Sequence, residues 1–193
     1  LAFLSTPATA QPRVSEADVQ PTAPQSASSQ ALVVVLDLSG SMRDDDGAGN
    51  NKLAVAKQSV EHLLRSVPAT VPTGVWGYPT PGDDCGAGSF VVAPDSKLGL
   101  PISIATVDAM SAAGGTPTGA ALQAAVDQMK ARGYTGATVV LISDGESNCG
   151  SPPCPVAEAL AGTDFELTVH AVGFQQSEAG RATGEADRGR HRG

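Results

Sequence analysis

The sequence predicts an α/β fold: a Rossmann-like open, mostly parallel sheet with helices on both faces and one short antiparallel edge strand. Three observations carry this. Leu32–Leu36 and Ala137–Ile142 are continuous apolar runs, the pattern of strands buried on both faces of a parallel sheet. Between them lie stretches with apolar residues at helical spacing, and alternating strands and helices imply right-handed parallel crossovers. Each run also ends on small oxygen-bearing residues: Asp37, Ser39 and Ser41 after the first, Ser143 and Asp144 after the second. The carboxyl edge of an open α/β sheet is where ligands bind.

Taken in order, Leu1–Ala10 resembles the end of an apolar secretory signal, with Ala8-Thr9-Ala10 like a signal-peptidase site. Gln11–Gln30 is rich in Pro, Ser, Ala and Gln without periodicity, as a disordered linker is. Residues 1–30 are therefore read as leader remnant and linker, 31–174 as one domain, and 175–193 as a disordered or atypical tail. The first strand comes next, then the acidic, Gly/Asn-rich loop Arg43–Asn51. Registering Gly47 on the glycine of an EF-hand puts Met42 at the first ligand position and Leu53 at the bidentate Glu. The loop is thus read as solvated, leading into a helix.

That helix is Lys52–Val67, with Leu53, Ala56, Val60, Leu63, Leu64 and Val67 on one face and Lys52, Lys57, Glu61 and Arg65 largely outside it; Pro68 ends it. Gly74–Tyr78 is a short strand, its Trp76 and Tyr78 read as packing residues. Ser89–Ala93 follows through a hairpin-scale loop and is placed at an edge. Ile102–Ala112 is a weaker helix. In Gly114-Gly-Thr-Pro-Thr-Gly119 the glycines allow a sharp bend or close approach. Thr118 is read as a cap for a helix over Gly119–Arg132, which leaves Thr116 as the better ligand candidate. A short helix around Pro155–Ala161 precedes Phe165–Val172, read as a third buried strand that closes at Gly173 and takes His170 into the packing.

Composition narrows the function. Of 193 residues 41% are apolar and 17% charged, enough for one well-buried domain. The net charge of −8 argues against nucleic acid and suits a cation. No apolar run is long enough to span a bilayer. Three cysteines are too few for a disulfide framework: Cys149 and Cys154 are close enough for one small loop closure, with Cys85 left over.

The carboxylates of Asp37 and Asp144 and the hydroxyls of Ser39, Ser41 and Thr116 form a hard-oxygen set suited to Mg²⁺, which keeps some water ligands. Together Asp37-x-Ser39-x-Ser41, Gly-Gly-Thr116 and Ser-Asp144-Gly145 resemble the von Willebrand factor type A (VWA) domain and its metal-ion-dependent adhesion site. The likeness covers roughly residues 31–174. It implies the VWA fold and a bound Mg²⁺, with Mn²⁺ or Ca²⁺ as alternatives. It also implies Ser39, Ser41 and Thr116 as direct ligands, Asp37 and Asp144 acting through water, and a sixth position taken by a partner protein's Asp or Glu. Leu141–Cys154 resembles secreted bacterial members, in which two cysteines flank a short loop. A Cys149–Cys154 bridge is what that implies; free thiols or a soft-metal site are the rival. Secretion or a place at the cell envelope follows. The resemblance also implies a helix and often a strand beyond Phe174, which Gln175 onward does not convincingly supply, so a carboxyl end that is either truncated or altered is expected.

The expected function is a non-enzymatic, metal-dependent protein-binding module. The alternative is a metal-assisted or serine-type hydrolase using Ser39 or Ser41, but neither His62 nor His170 sits on an obvious loop at the carboxyl edge, and no Gly-x-Ser-x-Gly elbow is present. A phosphatase built on Asp37 lacks a second carboxylate two residues on, where Ser39 stands.

Overall fold

The computed structural model describes residues 30–145 and 147–174. The expectations for the leader remnant, the linker and the tail concern residues outside these. In chain order the elements are β1 (Gln30–Asp37), α1 (Lys52–Ser66), β2 (Thr73–Tyr78), β3 (Ser89–Val92), α2 (Leu100–Asp108), α3 (Thr118–Ala131), β4 (Gly136–Ser143), α4 (Pro153–Ala161) and β5 (Glu166–Gly173), with one 3-10 turn at Gly40–Arg43. They form one sheet in the order β3-β2-β1-β4-β5. All pairs are parallel except β2 with β3, so the expected fold class holds, including its antiparallel edge.

β1 is central because nothing in Val33–Leu36 can face water. All four residues are fully buried, and each such side chain contributes roughly 1.5–3 kcal/mol on leaving water. Its odd residues, Ala31, Val33 and Val35, join the cluster under α3 and α4, with Trp76, Tyr78, Leu122, Val126 and Met129. Its even residues, Val34 and Leu36, join the cluster under α1 and α2, with Leu53, Ala56, Val60 and Val107. The two faces follow from the strand's period of two.

α1 runs as the spacing predicts. The Asn51 side chain caps its start by accepting from the Ala54 N–H at 3.0 Å, worth about 1 kcal/mol. Lys57 donates to the carbonyls of Asp108 and Met110. It thereby satisfies orphan acceptors at the end of α2 and ties α2 to α1. The acidic loop is folded on itself: Asp45 accepts from Gly47 and Gly49, and Asp46 from Ala48 and Asn50. Its carboxylates are spent on its own backbone, as a solvated turn requires.

Two local readings are corrected. Thr118 does not cap α3. Pro117 occupies the cap position without a side-chain hydrogen bond, and the buried Thr118 hydroxyl lies 3.2 Å from the Tyr78 hydroxyl. The cap is overridden because Thr118 is already the first helical residue, turned into the core beside β2. The second correction is β5, which among the described residues is an edge strand and not a buried one. Leu167 and Val169 pack half-buried on the α4 side, whereas His170 is exposed and Val172 is 46% exposed. An apolar run reports that a strand is buried somewhere, not that it has neighbours on both sides. No helix among the described residues is long and apolar enough to cross a membrane.

Candidate metal centre

The sheet order reverses at β1. The chain leaves it through α1 to β2 on one side, while β4 lies on the other. The crevice beyond the carboxyl ends of β1 and β4 is a topological switch point, where such sheets bind ligands. Register places Leu36 beside Ile142, so Asp37 and Ser143, one step on, end the two strands side by side.

Asp37 is fully buried. One carboxylate oxygen accepts from the Ser39 N–H at 2.7 Å and the other from the Ser143 hydroxyl at 2.6 Å. Among the described residues it makes no ion pair. Burial raises its carboxyl above the ordinary 3.8, with the negative charge of Asp144 adding to the rise and the hydrogen bonds from Ser143 and Ser39 opposing it. Tyr78, beside it, is pushed well above 10.0 by burial first and by the charge of Asp37 second, so it stays a neutral phenol.

The turn after Asp37 delivers two hydroxyls. Ser39 is buried and Ser41 exposed; their oxygens lie 3.1 Å apart, and the Ser41 hydroxyl donates to Asp144 Oδ1 at 3.0 Å. Asp37, Ser39, Ser41 and Asp144 are thereby brought together from 103 residues of separation between Ser41 and Asp144. Thr116 arrives on the third loop, which is hydrogen-bonded to the first: Gly40 N–H donates to Gly114 O at 2.9 Å and Ala113 N–H to Leu38 O at 2.7 Å. Thr116 is only 3% exposed. Its hydroxyl makes no hydrogen bond to another described residue, which leaves the oxygen open to a ligand.

Residues that sequence reading missed hold this loop. Asn148 Oδ1 accepts from the Thr116 N–H at 2.7 Å, and the Ser147 hydroxyl donates to Thr116 O at 2.9 Å. Lys52 was also missed. Read as lying outside the apolar stripe of α1, it instead turns inward and pairs with Asp144 Oδ2 at 2.9 Å, the two side chains 12% and 7% exposed. The signal that could have found it is its position: a lysine opening a helix sits where the helix dipole repels cations.

The disulfide differs from the one the resemblance implied. Cys149 bridges to Cys85, 64 residues away, with Cα atoms 5.6 Å apart. Cys154 lies outside the bridge, in the first turn of α4. The reason is tertiary. The 79–88 loop folds over the glycine loop, where Gly115 N–H donates to Asp84 O at 2.8 Å, and Cys149 is buried against the same carbonyl. Gly115 is needed there, since a Cβ would stand 2.6 Å from the Cys149 sulfur. The close approach that glycine allows is thus to the bridge.

These donors fit a hard divalent cation. Among the described residues no three His, Cys, Asp or Glu side chains gather as a metal cluster, so a cation here depends on hydroxyls. Adjacent oxygens about 2.1 Å from Mg²⁺ in an octahedron stand about 3.0 Å apart, close to the separation of Ser39 and Ser41. A fully buried carboxylate without a counter-charge is the other half of the fit. The sign of the pH dependence follows. Asp37's folded pKa lies above its unfolded value, so its charge costs stability at neutral pH, and that cost is relieved as pH falls through the raised pKa. A cation bound near Asp37 favours its ionised form. Stabilisation by Mn²⁺ is therefore expected to fade in acid beginning above the usual carboxylate range, checked by melting curves with and without Mn²⁺ from acid to neutral pH.

The family model described as "von Willebrand factor type A domain" matches residues 32–146. Among curated proteins none matches the chain. Similar solved structures include proximal thread matrix protein 1 from the mussel byssus, at 22% identity and TM-score 0.58, covering 76% of this chain and 38% of that one. The same protein is solved with a zinc-occupied MIDAS motif, the metal-ion-dependent adhesion site (18% identity, TM-score 0.54, 76% and 38% covered). A von Willebrand factor type A protein from Catenulispora acidiphila is 19% identical, with TM-score 0.55 and 76% and 33% covered. Manganese-loaded TRAP protein of Plasmodium vivax is 18% identical, with TM-score 0.56 and 81% and 62% covered. At these identities the likeness speaks for the fold, and the chain spans less than two-fifths of the mussel and Catenulispora structures.

Proposed function

The chain belongs to the von Willebrand factor type A domain family, and from that premise we propose that it is a divalent-cation-dependent protein-binding module whose metal captures a partner's Asp or Glu carboxylate. The observation that carries this is the convergence of Asp37, Ser39, Ser41 and Asp144 on one crevice, with the Thr116 loop hydrogen-bonded beside them. Ser39, Ser41 and Thr116 are the direct ligands, and Asp37 and Asp144 act through water. Mg²⁺ is the resident ion, with Mn²⁺ and Ca²⁺ able to replace it. Bound there, the ion supplies an electrophilic centre for an incoming carboxylate.

The chain's own residues prepare that centre. Asp37 is held by Ser39 N–H and Ser143, so it serves the site as a fixed charge. The Ser41 proton is directed to Asp144, which leaves the lone pairs of the Ser41 oxygen for a cation. Neutral inner ligands leave more of the ion's charge for the partner than two inner carboxylates would. The family's solved relatives with zinc or manganese support a divalent ion in this position.

The disulfide supports an oxidising compartment outside the cytosol, and we place the protein at the cell surface or in secretion. The hydrolase alternative lacks a histidine base among the described residues: His62 and His170 are exposed, and neither hydrogen-bonds to Ser39 or Ser41. The test is thermal. Mn²⁺ or Mg²⁺ at a hundred times its Kd contributes about 2.7 kcal/mol, read as a rise in Tm of roughly 5–10 °C that chelator reverses. No rise with any of Mg²⁺, Mn²⁺ or Ca²⁺ would refute the proposal.

A further inference from the structure

Lys52 breaks two rules at once. It is the first residue of α1, where the helix dipole favours anions and repels cations. It is also nearly buried, its side chain 12% exposed, although lysine is among the residues least often taken from water. A side chain held against both preferences has a strong partner, and the partner is Asp144 Oδ2 at 2.9 Å. The backbone fixes this arrangement: Lys52 N–H donates to Asp44 O at 3.0 Å, and Asn51 Nδ2 donates to Arg43 O at 2.7 Å. The start of α1 is thus tied to the turn that carries Ser41.

Asp144 is therefore shared between two donors, the Ser41 hydroxyl on Oδ1 and the Lys52 ammonium on Oδ2. We propose that Lys52 is a positioning residue of the metal centre, a built-in counter-cation that keeps Asp144 out of direct metal ligation and leaves the loaded site with net positive charge. This rests on the metal-binding reading above. Two carboxylates against one ammonium leave one negative charge, so a divalent ion brings the site to one positive charge. Without the ammonium the loaded site would be neutral. Lys52 thus weakens metal binding and strengthens capture of a carboxylate. It trades the first step for the second.

The opposite signs are the test, because a merely structural role would weaken both steps. Mn²⁺ binding is measured by the electron paramagnetic resonance of the free ion for the wild type, Lys52→Met and Lys52→Arg. Acetate, as the smallest carboxylate, is then titrated into each Mn²⁺-loaded protein, its binding read from the water-proton relaxation of the bound ion. Removing the positive charge that pairs with Asp144 is expected to tighten Mn²⁺ binding roughly tenfold in Lys52→Met. Acetate should bind that variant several-fold more weakly, and Lys52→Arg, which keeps the charge, should stay close to the wild type in both. Melting curves without metal establish that each variant is folded.

Equal or weaker Mn²⁺ binding by folded Lys52→Met, or undiminished acetate binding, overturns the assignment to Lys52 alone. Should Lys52→Met not fold, the charge-keeping variant decides: a Lys52→Arg that departs from the wild type in Mn²⁺ affinity by more than about tenfold contradicts a role carried by charge. Absence of Mn²⁺ binding in the wild type overturns the metal reading itself, and so the two failures are told apart.

Discussion

Asp37→Asn is expected to leave the cation-free protein at least as stable as the wild type and to abolish its stabilisation by Mn²⁺. The two effects share one cause. Asp37 is buried without a cationic partner among the described residues, and burial has raised its pKa, so its charge costs free energy that only a cation returns. An asparagine of the same shape can still accept the Ser39 N–H, and its amide can donate to the Ser143 oxygen. Asp37→Ala is the contrasting variant. It leaves the Ser39 N–H without its acceptor in a buried position, at about 1–3 kcal/mol. Melting curves of both variants with Mn²⁺ and with chelator separate loss of the ion from loss of the fold. A Tm rise of wild-type size in Asp37→Asn would show that the ion, if bound, is held elsewhere.

The second large effect is expected at the disulfide. Replacing both Cys85 and Cys149 by serine opens a loop of 64 residues, which by closure entropy costs about 4 kcal/mol and lowers Tm by roughly 10 °C. Cys154→Ser, which leaves that bridge intact, is expected to cost far less. Urea unfolding of both, with disulfide mapping of the wild type under non-reducing conditions, checks this. Equal losses in the two variants, or a mapped Cys149–Cys154 peptide, would contradict the pairing. The consequence reaches the site, because Asn148, next to the bridge, holds the Thr116 N–H. The double variant is therefore also expected to bind Mn²⁺ more weakly than the wild type.

Much of the fold was legible because its signals are local. Continuous apolar runs mark buried strands, and the stripe Leu53, Ala56, Val60 marks the inner face of α1; both emerged where expected. β5 was misread for the same reason. Phe165–Val172 has the composition of a buried strand, but burial depends on what lies alongside, and β5 ends the row among the described residues. Thr118 was misread as a cap because hydroxyls before helices usually are, while here its neighbour Tyr78 comes from a strand 40 residues earlier.

The candidate site divides in the same way. Local pattern and chain direction set the strand ends and the residues that follow them, so the oxygens expected at the sheet's carboxyl edge were readable from the chain alone. That was enough to choose Asp37, Ser39, Ser41 and Asp144; Thr116, which follows no strand, came from the glycine loop before α3 and from the reading of Thr118 as a cap, which the structure overturns. What those groups meet came from the packing of distant loops: Lys52 against Asp144, Ser143 against Asp37, Asn148 against the Thr116 backbone, and Cys85 as the partner of Cys149. The physical reason is that a side chain's type follows from its own position, whereas a charge pair or a bridge depends on how loops far apart in the chain are packed, and no spacing within one segment encodes that distance.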